Sequence, residues 1–307
     1  MKNPQYKLHQ VGTDTEVFLV NPQTEEPVPA IGLIGGTKHQ PKPVPELGDG
    51  YAVQEDNVML EYNVPPCATK AQFVTSVMRM NSYLKKLLTP QDLAFRIAPS
   101  MMFDAKQLTH PQAMHLGCEP DFNVWTRDVN PSPKAAGAAV LETMRTAGGH
   151  IHVSFALDDV SGKALTIYDK EPLVKALDMT LGLPSLFLDG DGRRRQLYGK
   201  AGAFRAKDYG IEYRVLSNFW TRSPELIEWA YDGVLAAIRL LNMENGQEAV
   251  NSCRTRIRLA IDHGSQEDAH VLLSQFGMSN RAGLSHHAKV MPSSSFFAEG
   301  TFDVAAA

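Results

Sequence analysis

Gly148-Gly149-His150-Ile151-His152-Val153-Ser154-Phe155 alternates polar and apolar side chains. Side chains in a β-strand repeat every two residues, so His150 and His152 project from one face while Ile151 and Val153 suit a buried opposite face. Three further stretches repeat the pattern. Gly12-Thr13-Asp14-Thr15-Glu16-Val17-Phe18-Leu19 carries two carboxylates two residues apart. Gln54-Glu55-Asp56-Asn57-Val58-Met59-Leu60-Glu61-Tyr62-Asn63 carries several more, and Gly210-Ile211-Glu212-Tyr213-Arg214-Val215-Leu216 pairs an acid with a guanidinium. A single sheet showing Asp, Glu, His and Arg on one face is a floor for divalent cations and phosphate. That points to an ATP-using enzyme more than to a binding module.

The elements outside these strands set the fold class. Val11 to Val20 reads as a first strand, and 21–50 as a long Pro/Gly-rich connection containing Ile34-Gly35-Gly36-Thr37-Lys38, where two glycines allow close backbone approach to a ligand. Val53 to Val64 reads as a second strand, stopped by Pro65-Pro66. The spacing of Phe73, Val77, Met80, Leu84, Leu87 and Leu88 predicts a helix over 69–88, with Thr69 as N-cap. Leu93 to Met102 reads as a strand, 104–135 as irregular, and Thr143 to Leu157 as the strand bearing His-X-His. Glu171 to Leu188 reads as a buried helix with Pro172 in its first turn, and 189–209 as a basic, glycine-rich loop. Ile211 to Trp220 is the last clear strand. A helix follows from Ser223 with Pro224 at its first position, then helical sequence over about 246–262. Strands and helices mix without regular βαβ alternation, which gives an α+β fold with a largely antiparallel sheet. We expect one catalytic domain over 1–307, with a core over about 11–262 and a tail over about 280–307 that loses periodicity.

Composition narrows the function classes. The chain has 307 residues, 43% hydrophobic and 21% charged, as expected of a folded domain with a large core. A formal net charge of −4 supplies no global field to recruit nucleic acid or an anionic membrane. Cys67, Cys118 and Cys253 are widely spaced and read as reduced thiols without zinc-ribbon spacing. The first ten residues show no apolar leader core, and no run of about eighteen apolar residues occurs. A cytoplasmic protein is expected.

The constellations suggest a division of labour. Asp14 and Glu16 can reach one ion, and Glu55 and Glu61 share parity with Asn57, so hard oxygen ligands suited to Mg²⁺ or Mn²⁺ are at hand. His150 and His152 could serve a metal or a phosphate. Glu212 and Arg214 fit a metal-bound phosphate site, or else a cross-strand ion pair. Arg193, Arg194, Arg195, Lys200 and Arg205 form a basic stretch that could neutralise phosphate charge, with Lys200 and Arg205 flanking glycines. No Walker-type P-loop and no Gly-X-Gly-X-X-Gly occurs, so ATP would be held by sheet-borne metals and basic side chains.

In that order the strands resemble the carboxylate–amine ligases of the glutamine synthetase and glutamate–cysteine ligase superfamily, and within it the phage phiEco32-like COOH–NH2 ligases of type 2. The motifs that carry the resemblance span about residues 11–220. They include Gly12 to Glu16, Ile34 to Lys38, Gln54 to Asn63, Gly117-Cys118-Glu119-Pro120-Asp121, Gly148 to Val153, Tyr198-Gly199-Lys200-Ala201-Gly202 and Glu212 to Trp220. The resemblance implies a sheet that forms a glutamine synthetase-like catalytic floor, with helices on the opposite face. It implies ATP and Mg²⁺ or Mn²⁺ as cofactors, an acyl-phosphate route to an amide, and small-molecule or peptide carboxylate and amine substrates. It also implies a host-cytoplasmic, phage-encoded protein. Asp14, Glu16, Glu55, Glu61, His150, His152 and Glu212 are the expected metal set. His150, Lys38, Arg195, Lys200 and Arg205 are expected at the nucleotide, and Arg214, Glu61 and Asp121 in catalysis. The superfamily often has Glu where Asp14 stands, and the shorter side chain leaves that contact less direct. Asp121 and Glu119 are the candidates for general base, while Cys118 packs. The rival readings are a metal-dependent hydrolase built on His150 and His152, and a non-catalytic protein retaining the fold.

Overall fold

The computed structural model describes residues 5–114, 121–130, 143–158 and 164–282. Its centre is an antiparallel sheet. In chain order the strands are β1 (Tyr6–Val20), β2 (Pro27–Val28), β3 (Lys42–Pro43), β4 (Ala52–Asp56), β5 (Met59–Cys67), β6 (Ala94–Arg96), β7 (Ser100–Met102), β8 (Phe122–Asn123), β9 (Asp128–Val129), β10 (Met144–Thr146), β11 (Gly149–Leu157), β12 (Ala203–Lys207) and β13 (Gly210–Tyr213). The main sheet runs β3-β4-β5-β1-β11-β13-β12-β8-β9, with β2 and β6 pairing the far end of β1. β7 and β10 form a separate ribbon. The long β1 lies between β5 and β11, so it joins the two acidic segments to the His-X-His segment.

Period two sorts the sheet into two faces. Tyr62, Val64, Val17, Ile151, Val153, Ile211, Tyr213 and Phe204 are buried on one. That face is covered by α1 (Lys70–Leu88), α3 (Ile167–Leu177) and α6 (Pro224–Asn242). Phe73 of α1 stacks on Trp220, in the 3-10 turn Asn218–Arg222, at 5.7 Å between ring centroids and meets Tyr231 of α6 at 5.9 Å, so the two helices and that turn share one aromatic cluster. Each such ring removed from water stabilises the fold by about 1.5–3 kcal/mol. The α+β class and the one-sided helical layer agree with the sequence reading. α1 starts where expected, with a capping box between Thr69 and Gln72, and α2 (Pro111–Met114) is a single turn.

Several boundaries differ for local reasons. The segment expected as one strand over Val53 to Val64 is a hairpin, because Asn57 takes φ 57° and reverses the chain between Asp56 and Met59. β5 passes through Pro65 and Pro66 to Cys67; a register shift against β1 between Val11 and Thr13 accommodates the missing N–H groups. The buried helix begins at Ile167, capped by Thr166, so Pro172 lies beyond its first turn. It widens to a π turn at Asp178–Gly182 before α4 (Leu183–Ser185). The basic stretch expected as a loop contains α5 (Gly192–Leu197), capped by Asp191, and then β12. After α6 come α7 (Gly246–Ser252), α8 (Arg254–His263) and α9 (Gln266–Gln275). Cys118 and Glu119 lie outside the described residues, as does the segment after Ala282.

Candidate functional site

The opposite, polar face of the sheet gathers charge from six neighbouring strands. Register places Asp14 between Asn63 and His150, and Glu16 opposite Glu61. It also places Gln54 opposite Glu61, His152 opposite Glu212 and Glu212 opposite Arg205. Arg214 follows directly on β13, on the same side as Glu212. The hydrogen-bonding pattern of the strands therefore sets the side chains' spacing before any of them interact.

One half of this face is rich in cations. Glu212 is fully buried and is contacted by Lys207 Nζ at 2.7 Å, Arg205 Nη1 at 3.4 Å and, most closely, Arg214. Arg214 also donates to the Tyr198 hydroxyl, and its Nε lies 2.6 Å from Asp121 Oδ1. Asp14 Oδ1 meets His150 Nδ1 at 3.0 Å and His152 Nε2 at 3.1 Å. Burial opposes ionisation of Asp14, but the two imidazoles outweigh it and hold the carboxyl well below its usual range. Burial and the Arg214 guanidinium push His150 down to about 4, so its ring is neutral. A neutral ring donating Nδ1–H to Asp14 and accepting the Tyr198 O–H at Nε2, 3.2 Å away, satisfies both nitrogens. His152 goes the other way. Although burial opposes its charge, Asp14 raises it, and it donates to Asp14 and to the Tyr209 hydroxyl.

The other half is rich in acids. One carboxylate oxygen from each of Glu16, Asp56 and Glu61 lies within 4.8 Å of the others. Burial and the Asp56 charge push Glu16 up to about 8, against the pull of the Gly148 N–H, which donates to its Oε2. Asp56 is raised by burial, with the Glu16 hydrogen bond, Lys38 and Arg214 pulling the other way. Glu61 is raised well above the usual range by burial and by Asp14, Asp56 and Glu16. Gln54 hydrogen-bonds Glu61 while its own buried Oε1 has no partner. Hard, crowded oxygens of this kind fit a divalent cation, which would relieve the repulsion that holds protons on them. Asp14, His150 and Glu212 also come within 4.8 Å, but their charges are already matched by the neighbouring cations.

The face brings together Asp14, Glu16, Glu61, Asp121, His150, His152, Arg205, Glu212 and Arg214, with Lys38 near Asp56. Glu55 is a correction. It pairs with Leu60 rather than with the acids, and its carboxylate accepts the N–H groups of Gly32, Ile34 and Gly35 at 3.0, 3.1 and 2.8 Å. The parity shared by Glu55 and Glu61 in the sequence is broken by the hairpin at Asn57, which puts Asp56 in the acidic half instead. Arg195 is also placed elsewhere. It is buried against Ser185 Oγ and the Asp189 carbonyl, with Asp189 Oδ2 at 3.9 Å. Arg194 is buried as well and donates to the carbonyls of Ala147, Val215 and Leu216. Lys200 acts on Asp262 of α8. Asp56, Gln54, Tyr198 and Lys207 are not among the site residues expected from the sequence; the readiness of Asn57 to take a positive φ is the one signal that could have brought in Asp56.

Residues 131–260 match the family model described as Phage phiEco32-like COOH.NH2 ligase-type 2. The match bears out the resemblance read from the motifs and takes in β11, β12 and β13 with the cation-rich half of the site; β1, β4 and β5 lie outside it. No curated protein matches the chain. Among solved structures, one titled "Crystal structure of novel glutamine synthase homolog" is similar at 14% identity and a TM-score of 0.39, over 94% of this chain and 71% of that one.

Proposed function

We propose that this chain is an ATP-dependent carboxylate–amine ligase whose site is the polar face of the sheet. The observation that carries the reading is the polarity of that face. Arg205, Lys207, Arg214 and His152 crowd one half, and Glu16, Asp56 and Glu61 the other. A reaction that brings phosphate and carboxylate oxygens next to divalent cations needs both halves side by side. The family match over 131–260 supports the ligase class.

The metal fits the residues present. Glu16, Asp56 and Glu61 would hold Mg²⁺ or Mn²⁺, with Gln54 Oε1 as a neutral oxygen beside them. Once bound, such an ion would offset charge on phosphate oxygens. The chain's own groups do the rest. Arg214, held between Glu212, Asp121 and Tyr198, presents a planar guanidinium to an anionic group. Arg205 and Lys207 are one strand away and could exchange Glu212 for phosphate oxygens as ATP binds. Phosphorylation of a substrate carboxylate gives an acyl phosphate, and attack by an amine gives the amide and releases phosphate. The amine must lose a proton, and of the two carboxylates on Arg214, Glu212 and Asp121, we assign that role to Asp121. Lys38, near Asp56, completes the wall on the side of the 30–50 connection. In the hydrolase alternative, His150 and His152 would share a metal with Asp14, whose Oδ1 both imidazoles face; the family match over 131–260 favours the ligase.

Substrates would be small carboxylates and amines, in the cytoplasm of a phage host. No helix among the described residues is long and apolar enough to cross a membrane. The deciding experiment measures ADP release with Mg²⁺ or Mn²⁺ against panels of carboxylates and amines, alongside calorimetry of Mg·ATP binding. ADP release that requires both a carboxylate and an amine supports the ligase. Absence of both ADP release and Mg·ATP binding would abolish the proposal.

A further inference from the structure

Asp178 has no exposure and stands where α3 widens into a π turn, on the helix-covered side of the sheet. Tyr213 O–H donates to its Oδ1 at 2.7 Å and Trp125 Nε1–H to its Oδ2 at 2.6 Å, with the Gly202 N–H as a third donor. A carboxylate buried among apolar residues costs several kcal/mol unless such donors meet it. That cost goes unexplained if the residue merely fills space, since a leucine would fill it without one. The partners of Asp178 are what set it apart. Tyr213 immediately precedes Arg214, and Trp125 lies four residues after Asp121, so one carboxylate holds the neighbours of both members of the Asp121–Arg214 contact.

We propose that Asp178 is a positioning residue for the site: from the buried side of the sheet it ties Trp125 to Tyr213 and thereby sets the Asp121–Arg214 contact on the polar side. The segment between Asp121 and Asn130 joins the sheet through short ladders, pairing β12 at Phe122 and Asn123, with the Val124 N–H donating to the Gly202 carbonyl at 3.0 Å. Its ladder is two residues long on each strand, Phe122–Asn123 against Asp128–Val129. Asn123 supports the turn, accepting the Trp125 N–H at 2.9 Å and donating to the Ala201 carbonyl at 3.1 Å. Gly202, at φ 72°, lets the Trp125 ring come close; a Cβ there would sit 2.6 Å from Trp125 Cδ1. The indole therefore has one well-defined seat, with Asp178 at its end. π turns recur where a helix must aim one side chain at a functional element, and this one aims a carboxylate at the sheet.

The inference rests on the proposed function only for the nucleotide readout, and the experiment keeps the two apart. Three variants are compared with wild type: D178A, which removes the carboxylate; W125F, which keeps a ring but removes the donor; and D178N, whose amide can accept from Trp125 and donate to the Tyr213 oxygen. Amide hydrogen exchange by mass spectrometry reports on 121–130 and needs no ligand. Mg·ATP calorimetry reports on Arg214. D178A and W125F should speed exchange in 121–130 by about tenfold, the equivalent of about one lost hydrogen bond. Both should weaken Mg·ATP by about fivefold or more while melting stays cooperative, and D178N should restore both readouts to within about twofold of wild type. D178N behaving like D178A would overturn the proposal, as would unchanged exchange in W125F. Should wild type itself not bind Mg·ATP, the function fails and the exchange measurements alone decide the positioning role.

Discussion

Glu16 of β1 and Glu61 of β5 stand directly opposite each other, and Asp56 brings a third carboxylate oxygen within 4.8 Å of theirs. Burial and neighbouring negative charge raise Glu61 well above its usual range. A Glu61→Gln variant copies the protonated form of the side chain. It should melt within about 4 °C of wild type, a change of about 1–2 kcal/mol for a domain of this size. It should also bind Mn²⁺ at least about tenfold more weakly, the loss of about 1.4 kcal/mol. Scanning calorimetry and Mn²⁺ titration check the two halves of the statement. Unchanged Mn²⁺ affinity would remove Glu61 from the metal set.

Glu212 should behave oppositely, although its chemistry is the same. Its carboxylate is fully buried among Lys207, Arg205 and Arg214. Glu212→Gln would leave three cations facing one another around a neutral group. Breaking a buried pair costs about 3–5 kcal/mol, and the partial exposure of Lys207 places the loss at the lower end. The urea midpoint should fall with little change in slope. A Glu212→Gln variant as stable as Glu61→Gln would mean that the cation cluster is screened by solvent.

These two acids also show how far the sequence could be read. Asp14, Glu16, His150, His152 and Glu212 are legible because a half-buried strand writes its faces as an alternation, and β1, β11 and β13 run unbroken through these five residues. Parity fails where the chain turns. The hairpin at Asn57-Val58 exchanges faces, so parity alone places Glu55 with the acids where the fold puts Asp56. Basic residues mislead for another reason. An arginine beside a glycine-rich turn reads as a phosphate ligand, yet a buried guanidinium can be satisfied by backbone carbonyls, as Arg194 is by those of Ala147, Val215 and Leu216. Nothing in sequence spacing distinguishes these outcomes. The contact between Asp121 and Arg214 was out of reach as well, since it depends on pairing between β8 and β12.

Arg194 carries a prediction of its own. Its three carbonyl partners join the approach to Gly148 with the end of β13, and the Gly148 N–H in turn binds Glu16. Lysine can meet only part of that fork. Arg194→Lys should lose about 3 kcal/mol, two charge-assisted hydrogen bonds at about 1.5 kcal/mol each. Chemical denaturation measures it, and a change under about 0.5 kcal/mol would show that lysine or water replaces the fork.

Glu55 should separate loop order from metal binding. Its carboxylate collects three backbone N–H groups from residues 32–35, and a glutamine would turn its own donor toward at least one of them. Glu55→Gln should raise hydrogen exchange over 31–38 by about tenfold or more, from a cost of about 1–3 kcal/mol confined to that loop. Mn²⁺ affinity should stay near wild type, because Glu55 lies across the hairpin from the acidic half. Asp56→Asn should give the reverse pattern. If Glu55→Gln weakens Mn²⁺ as strongly as Asp56→Asn, the loop and the acids form one unit.

Asp178 predicts the pH dependence of stability. Burial pushes its carboxyl up to about 7 and Asp262 adds to the rise, while the hydrogen bonds from Trp125, Tyr213 and Gly202 pull it down. In the unfolded chain the group titrates near its ordinary value of 3.8. Between those values the folded protein holds a proton that the unfolded chain has released, so stability falls as pH rises. The contribution of this group is whole below about pH 4, declines through the window and is level again above about pH 7, a total of about 4 kcal/mol at most. Asp178→Asn cannot titrate. The difference in unfolding free energy, wild type minus Asp178→Asn, should therefore decrease from pH 4 to pH 7 and then flatten. A difference that rises across that window would mean that the three donors overcome burial and that Asp178 is ionised in the folded protein.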